Sequence, residues 1–366
     1  MTFTLRVVLA FLLLVPSASG ALALTAAQTD TDSTASERTD WPTNGWRTST
    51  PEEQGMDGAL LDEAGRRVPA ELPDVSALLI VRQGRLVFER YYGGVRPDDP
   101  INVRSVTKSV TSALIGIALA EGDLDGLDQP IGELIPDRIP PEADPLTPSI
   151  TLEQLLTMTS GLAWDAGSDY QRLIASDDWV DLTLGLPVAY EPGTVFAYNS
   201  GGSHLLSVIL AEATGQETST YAQTHLFDPL GIEPGDWDRS PQGETNGGFG
   251  LELTARDMAK LGELYLNGGR WEGEQIIPTD YVRASATVQS AGDATGGTPY
   301  GYQWWVTDAT GYPAFYALGY GGQYIYVVPD LDLVVVVAAA RRVPAEELRS
   351  PRYLIESVIV PAAVNP

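Results

Sequence analysis

The chain has 366 residues, 43% of them apolar, and a formal net charge of −27 from 49 acidic against 22 basic residues. That composition supplies a large core, and the absence of cysteine excludes disulfides, thiol catalysis and thiolate-bound zinc. The acidic balance disfavours nucleic acid and anionic membrane as partners, leaving a small-molecule or peptide-like substrate as the expected one.

In chain order, the first element is a leader. Arg6 precedes the apolar run Val7 to Val15, then Pro16 and small residues, with Ala18-Ser19-Gly20 and Ala21-Leu22-Ala23 as cleavage sites. The apolar run is too short to span a bilayer, so residues 1–23 are expected to be a signal peptide. No cysteine follows it, so no lipid anchor is expected and the protein is placed outside the cytoplasm, secreted or periplasmic. Residues 24–45, rich in Thr, Ser, Asp and Ala, are expected to be a flexible leader. Residues 46–366 then form the folded body.

Ala59 to Val68 has the pattern of an amphipathic helix, and Ser76–Val81 and Arg85–Tyr91 flank Gln83-Gly84 as a hairpin. Next comes Ser105-Val106-Thr107-Lys108 at the head of an apolar run ending at Glu121-Gly122, which predicts a buried helix. The chain has only two lysines. Arginine keeps its proton, whereas a desolvated lysine can lose it, so Lys108 one turn after Ser105 reads as a nucleophile's own base. The plainer alternative is an N-cap serine followed by an exposed lysine.

From about residue 123 to 238 the chain is rich in Pro and Asp, with helical patches at Thr151–Met158 and Gly202–Thr214, and reads as a mainly helical insertion. Thr254–Asn267 is an amphipathic helix closed by Gly268-Gly269. Strands are predicted at Tyr300–Val306, Phe315–Leu318, Gln323–Val328 and Leu331–Ala339, and a closing helix at Leu348–Val360 with Pro351 in its first turn. Strands at both ends and helices between them predict an α+β fold: an antiparallel β-sheet flanked by helices, with an inserted mainly helical domain.

Several stretches together resemble the serine β-lactamase and penicillin-binding-protein superfamily, closest to the class C-like branch with the family VIII esterases and 6-aminohexanoate-dimer hydrolases. They are Ser105-Val106-Thr107-Lys108, Leu155 to Leu162, Pro192 to Tyr198, Leu253 to Met258 and the aromatic block Tyr300 to Trp305. The resemblance implies a β-lactamase/transpeptidase-like fold, with Tyr198 as the tyrosine of the second element, Tyr-x-Asn, acting with Lys108 in proton transfer. Ser200 stands where that element has asparagine, and Asn199 sits one place early. The third element, Lys-Thr-Gly, is matched to Tyr320-Gly321-Gly322, which puts the oxyanion hole at the amides of Ser105 and Gln323 and removes the usual lysine. Ser200, Tyr320, Gly321, Gly322 and Trp164 are the candidate substrate contacts, with Trp304 and Trp305 as further aromatic walls. Arg341 or Arg342 could replace the missing cation.

Glu263-Leu264-Tyr265-Leu266-Asn267 imitates the Glu-x-x-Leu-Asn element of class A enzymes but falls inside a helix, and is read as helix surface and C-terminal turn. His204 and His225 form no ligand pair, and no nucleotide fingerprint occurs, so neither metal nor cofactor is expected. The sequence therefore points to a serine hydrolase acting on an ester or amide through an acyl-enzyme. A β-lactamase or D-Ala-D-Ala carboxypeptidase, and a penicilloyl-binding sensor without turnover, remain alternatives.

Overall fold

The computed structural model describes residues 38, 40–292, 297–340 and 349–364. Six strands build an antiparallel sheet: β1 (Val75–Arg82), β2 (Arg85–Tyr91), β3 (Trp305–Thr307), β4 (Ala314–Gly319), β5 (Gln323–Val328) and β6 (Leu333–Ala339), in the spatial order β2-β1-β6-β5-β4-β3. The N-terminal hairpin thus pairs with the last strand, Leu78 opposite Val337 and Ile80 opposite Val335. Gln83 and Gly84 both take positive φ, 51° and 70°, the two-residue turn that matches strand twist.

β6 shows how the sequence divides the core. Val334, Val336 and Ala338 face one apolar cluster, while Leu333, Val335 and Val337 face another, the alternation that a pleated strand imposes. Helices α2 (Val106–Glu121) and α5 (Ala255–Leu266) cover the first face. Helix α1 (Gly58–Glu71) and the helical turns from Arg352 to Val364 cover the second. Each fully buried valine contributes roughly 1.5 kcal/mol or more, so the sheet is held from both sides. Asp57 starts α1 by accepting hydrogen bonds from the amides of Ala59 and Leu60.

Among the described residues, the stretch from Gly122 to Asp238 carries helices and loops but no strand. It includes α3 (Leu152–Leu156), started by a Thr151–Gln154 capping box, and α4 (Ser200–Thr214).

Three expectations change. Residues 41–43, assigned to the leader, are packed: Trp41 meets Trp271 at 4.8 Å and the Trp271 indole donates to Thr43 Oγ1 at 2.8 Å. The segment expected to be a signal peptide, and Arg341 and Arg342, lie outside the described residues. The strand expected from Tyr300 is only Trp305–Thr307; Tyr300 to Trp304 are buried irregular chain, with Gln303 at φ 61°. Finally, helical structure at the C-terminus begins at Arg352, because Pro351 fits only the first turn.

Candidate active site

Ser105 occupies the cap position of α2, but its hydroxyl makes no capping bond, and Lys108 is 1% exposed. An N-cap serine with a solvent-facing lysine is therefore not what the helix contains. Lys108 Nζ stands 3.3 Å from Ser105 Oγ, 3.1 Å from Ser200 Oγ and 2.7 Å from the carbonyl of Gly248. Burial drives its pKa down to about 7, and among the described residues no carboxylate pairs with it. A neutral amine beside a hydroxyl can accept that hydroxyl's proton.

Tyr198 is brought in by a loop pinned to the end of α3. Gly193 donates to the Thr159 carbonyl at 2.7 Å and Ala197 to that of Met158 at 2.8 Å. Met158 is at φ 60°, and Gly161, at φ 80°, leaves no room for a side chain, since a Cβ would meet the Tyr190 carbonyl at 2.3 Å. The Tyr198 phenol lies near enough to the Ser105 hydroxyl to be influenced by it, and its ring lies 5.0 Å from Lys108 Nζ. Burial pushes its pKa up to about 12, opposed by the Ser105 hydroxyl. The phenol therefore keeps its proton at neutral pH.

Asn199 takes no part in the cluster. It caps α4, its Oδ1 accepting from the Gly202 amide at 2.9 Å. Ser200, the first residue of α4, is what reaches Lys108.

A cavity of about 480 Å³ opens from Ser105 and Tyr198 along Leu318, Gly319 and Tyr320 to Arg349. Trp305 forms a wall, stacked on Tyr198 at 5.9 Å. Trp304 does not; it is buried against Tyr265 and Phe315. Trp164 packs at the edge of the core and is not among the lining residues. Sequence reasoning missed Leu318, Gly319, Tyr324, Arg349 and Ser350.

The third element sits differently from its expected register. Gly321 and Gly322, at φ 90° and 101°, form the turn between β4 and β5 and border the outer cavity. The close approach is at Gly319, where a Cβ would lie 2.3 Å from the carbonyl of Val103, two residues before Ser105. β3 pairs with β4 only at Ala314, Phe315 and Tyr316, so Ala317 to Gly319 present an open edge. Gln323 begins β5, an inner strand, and its carboxamide is spent on the backbone of Ala339. It does not line the cavity.

Glu263 is not helix surface as expected. It is fully buried and ion-paired with Arg38, away from the cavity. His204 and His225 pair with Glu244 and Glu121, at 3.3 and 2.8 Å.

The family model named Beta-lactamase matches residues 70–359. The chain is similar to 6-aminohexanoate-dimer hydrolase of Paenarthrobacter ureafaciens, 27% identical over 308 residues, covering 75% of this chain and 76% of that protein. It is also similar to Esterase EstB of Burkholderia gladioli, 32% identical over 197 residues, covering 48% and 49%. Among solved structures, a putative 6-aminohexanoate-dimer hydrolase from Bacillus anthracis superposes with a TM-score of 0.68 at 24% identity, covering 82% of this chain and 81% of that one. A putative beta-lactamase from Bacteroides dorei superposes with a TM-score of 0.69 at 22% identity, covering 83% and 98%.

Proposed function

The chain belongs to the beta-lactamase family, and from that premise we propose that it hydrolyses a small ester or amide through an acyl intermediate on Ser105. The observation that carries this reading is the placement of Lys108, buried, without a carboxylate partner among the described residues, and 3.3 Å from the Ser105 hydroxyl. Neutral Lys108 accepts the proton of Ser105 Oγ as that oxygen attacks the substrate carbonyl carbon. The amides of Ser105 and Tyr320 hold the resulting oxyanion; the open edge at Gly319 supports Tyr320 over Gln323. Collapse breaks the bond to the leaving oxygen or nitrogen, which takes a proton from Tyr198. Water then attacks the acyl carbon, passing its proton to the Tyr198 phenolate, and the Ser105 oxygen leaves, taking back its proton from the Lys108 ammonium.

The cavity walls favour an apolar acyl group or alcohol: Trp305, Leu318 and Tyr324 line it. No lysine serves as the cation of the third element in either register, since the second lysine, Lys260, is buried against Asp257 and the Gly231 carbonyl. Among the described residues, Arg349 is the cation that lines the cavity, and it supports a second reading in which a carboxylated β-lactam or peptide is taken. Export is part of the proposal and rests on the composition of residues 1–23; intact Met1 on soluble protein from the culture medium would contradict it.

A fluorophosphonate probe should label wild type and not Ser105→Ala, and the labelled peptide should contain Ser105. Wild type should then turn over p-nitrophenyl esters. Labelling elsewhere, or Ser105→Ala with full turnover, would remove the reading.

A further inference from the structure

We propose that Gln303 is a positioning residue that fixes the helix bearing Ser105 and Lys108 against the helix that follows Tyr198 and bears Ser200. The proposal rests on the reaction described above and names a group outside the cavity.

Gln303 is 2% exposed and lies between three helices. Its Nε2 donates to the carbonyls of Leu155 and Leu156, at 3.1 and 2.8 Å, at the end of α3. Its Oε1 accepts from Ser203 Oγ at 3.0 Å, one turn into α4. Its own carbonyl accepts from Ser109 Oγ at 2.7 Å, one residue after Lys108 in α2. Its amide donates to the Leu156 carbonyl at 3.1 Å. One residue thus joins the helix of the nucleophile and base, the helix behind the proton donor, and the helix end on which the Tyr198 loop is pinned.

These bonds have the geometry of a built junction rather than of incidental polar burial. Both terminal atoms of the carboxamide are occupied, Nε2 by two carbonyls in the last turn of α3, of which that of Leu155 also accepts from the Met158 amide at 3.3 Å while that of Leu156 is served by the amide and carboxamide of Gln303. The backbone takes φ 61°, a conformation in which a side chain other than that of glycine, asparagine or aspartate is uncommon. Glycine would adopt it without cost. The side chain is thus present where the backbone alone would favour its absence. Its neighbours extend the same seam: Ser112 Oγ donates to the carbonyl of Tyr302 at 2.8 Å, so α2 is held to this segment at two points one turn apart.

The geometry that depends on this junction is tight. Lys108 on α2 and Ser200 on α4 are 3.1 Å apart across the two helices, and the Tyr198 ring lies 5.0 Å from Lys108 Nζ. A displacement of about 1 Å between the helices takes such contacts out of range and lowers the rate of proton transfer without touching the substrate cavity.

The test uses the whole enzyme and a neutral p-nitrophenyl ester. Gln303→Gly keeps both backbone bonds and relieves the φ, and removes only the carboxamide bridge. It should lower kcat by tenfold or more and leave KM within about twofold. Ser203→Ala, which leaves Gln303 in place, should lower kcat in the same direction, and the double variant should be no worse than the poorer single one. Gln303→Glu, which keeps an acceptor for Ser203 but has no donor for Leu155 and Leu156, should not restore the rate. Wild-type kcat in Gln303→Gly, or losses that multiply in the double variant, would overturn the proposal. If Gln303→Gly melts far below wild type, Ser203→Ala decides: reduced kcat at unchanged melting temperature supports the junction, and unchanged kcat removes it. Ser105→Ala on the same ester separates the two levels. If it is inactive while Gln303→Gly is normal, only the role of Gln303 fails; if it is active, the reaction and the positioning role fail together.

Discussion

Lys108 and Ser200 meet across two helices, the amine nitrogen 3.1 Å from the hydroxyl oxygen, in a site where the lysine has no carboxylate partner among the described residues. Hydroxyls and a carbonyl are weak compensation for a buried charge, so the contact set selects the neutral amine.

That selection sets the pH dependence. With its pKa lowered to about 7, Lys108 is a free base above neutrality and takes up a proton below it. On an ester, kcat/KM should be level above about pH 8 and fall about tenfold per unit below pH 6. Lys108→Arg should keep less than a few per cent of wild-type kcat, since guanidinium cannot accept the proton. A rate that is flat from pH 5 to 8 would contradict the assignment.

The same shift has a stability consequence. An unfolded lysine titrates near 10.4, so between about pH 7 and 10 the unfolded chain binds more protons at this position than the folded one, and stability rises with pH across that window. Below pH 7 the folded protein carries the full cost of a buried ammonium. Lys108→Met should therefore be inactive yet more stable than wild type at pH 6, by up to a few kcal/mol, with the margin closing toward pH 10. Thermal melts of both proteins at pH 6, 8 and 10 check the sign; a margin that widens with pH would refute it.

Tyr198 behaves in the opposite sense. Its phenol, pushed up to about 12, stays protonated through the working range, as the donor of the proposed reaction must. Tyr198→Phe should lower kcat about a hundredfold or more with little change in KM. No alkaline loss of activity attributable to this group should appear below about pH 11 in the wild type. An alkaline limb near pH 8 that vanishes in Tyr198→Phe would mean that the phenolate, not the phenol, is the reactive form.

Asn199 carries a different expectation. Because its side chain caps α4, Asn199→Ala should cost about 1 kcal/mol of stability, and KM for an ester should stay within twofold. A large rise in KM in Asn199→Ala would return this residue to the substrate.

What sequence could show follows from the range of the interactions. Ser105 and Lys108 are one helical turn apart, so their meeting is local and their spacing discloses it. Asn199 before an apolar run is an N-cap signal, although family resemblance directs attention to substrate binding instead. Gln303 is reached only through Leu155, Leu156, Ser203 and Ser109, all about a hundred or more residues away, and its neighbours' strand-like composition hides it. The adjacent Trp304 and Trp305 point to opposite sides, one into the core and one to Tyr198, so only one of them can line the cavity. Choosing among Gly319, Gly321 and Gly322 needs the strand edge, since glycine spacing carries no register.

Substrate choice should depend on Arg349, which lines the cavity. The third-element lysine is absent, and the cavity is walled by Trp305, Leu318 and Tyr324, which suits a neutral apolar group. Losing the one ion pair that would hold a β-lactam carboxylate costs on the order of 3 kcal/mol, about a hundredfold. Short-chain p-nitrophenyl esters should therefore exceed a chromogenic cephalosporin in kcat/KM by at least about a hundredfold. Whatever affinity the enzyme has for carboxylated substrates should depend on Arg349, so Arg349→Ala should raise KM for a succinyl ester severalfold and leave the neutral ester unchanged. Equal effects on both esters would show that Arg349 shapes the cavity without reading charge. A cephalosporin opened faster than any ester would reverse the preference and make the carboxylate the group this site was built to receive.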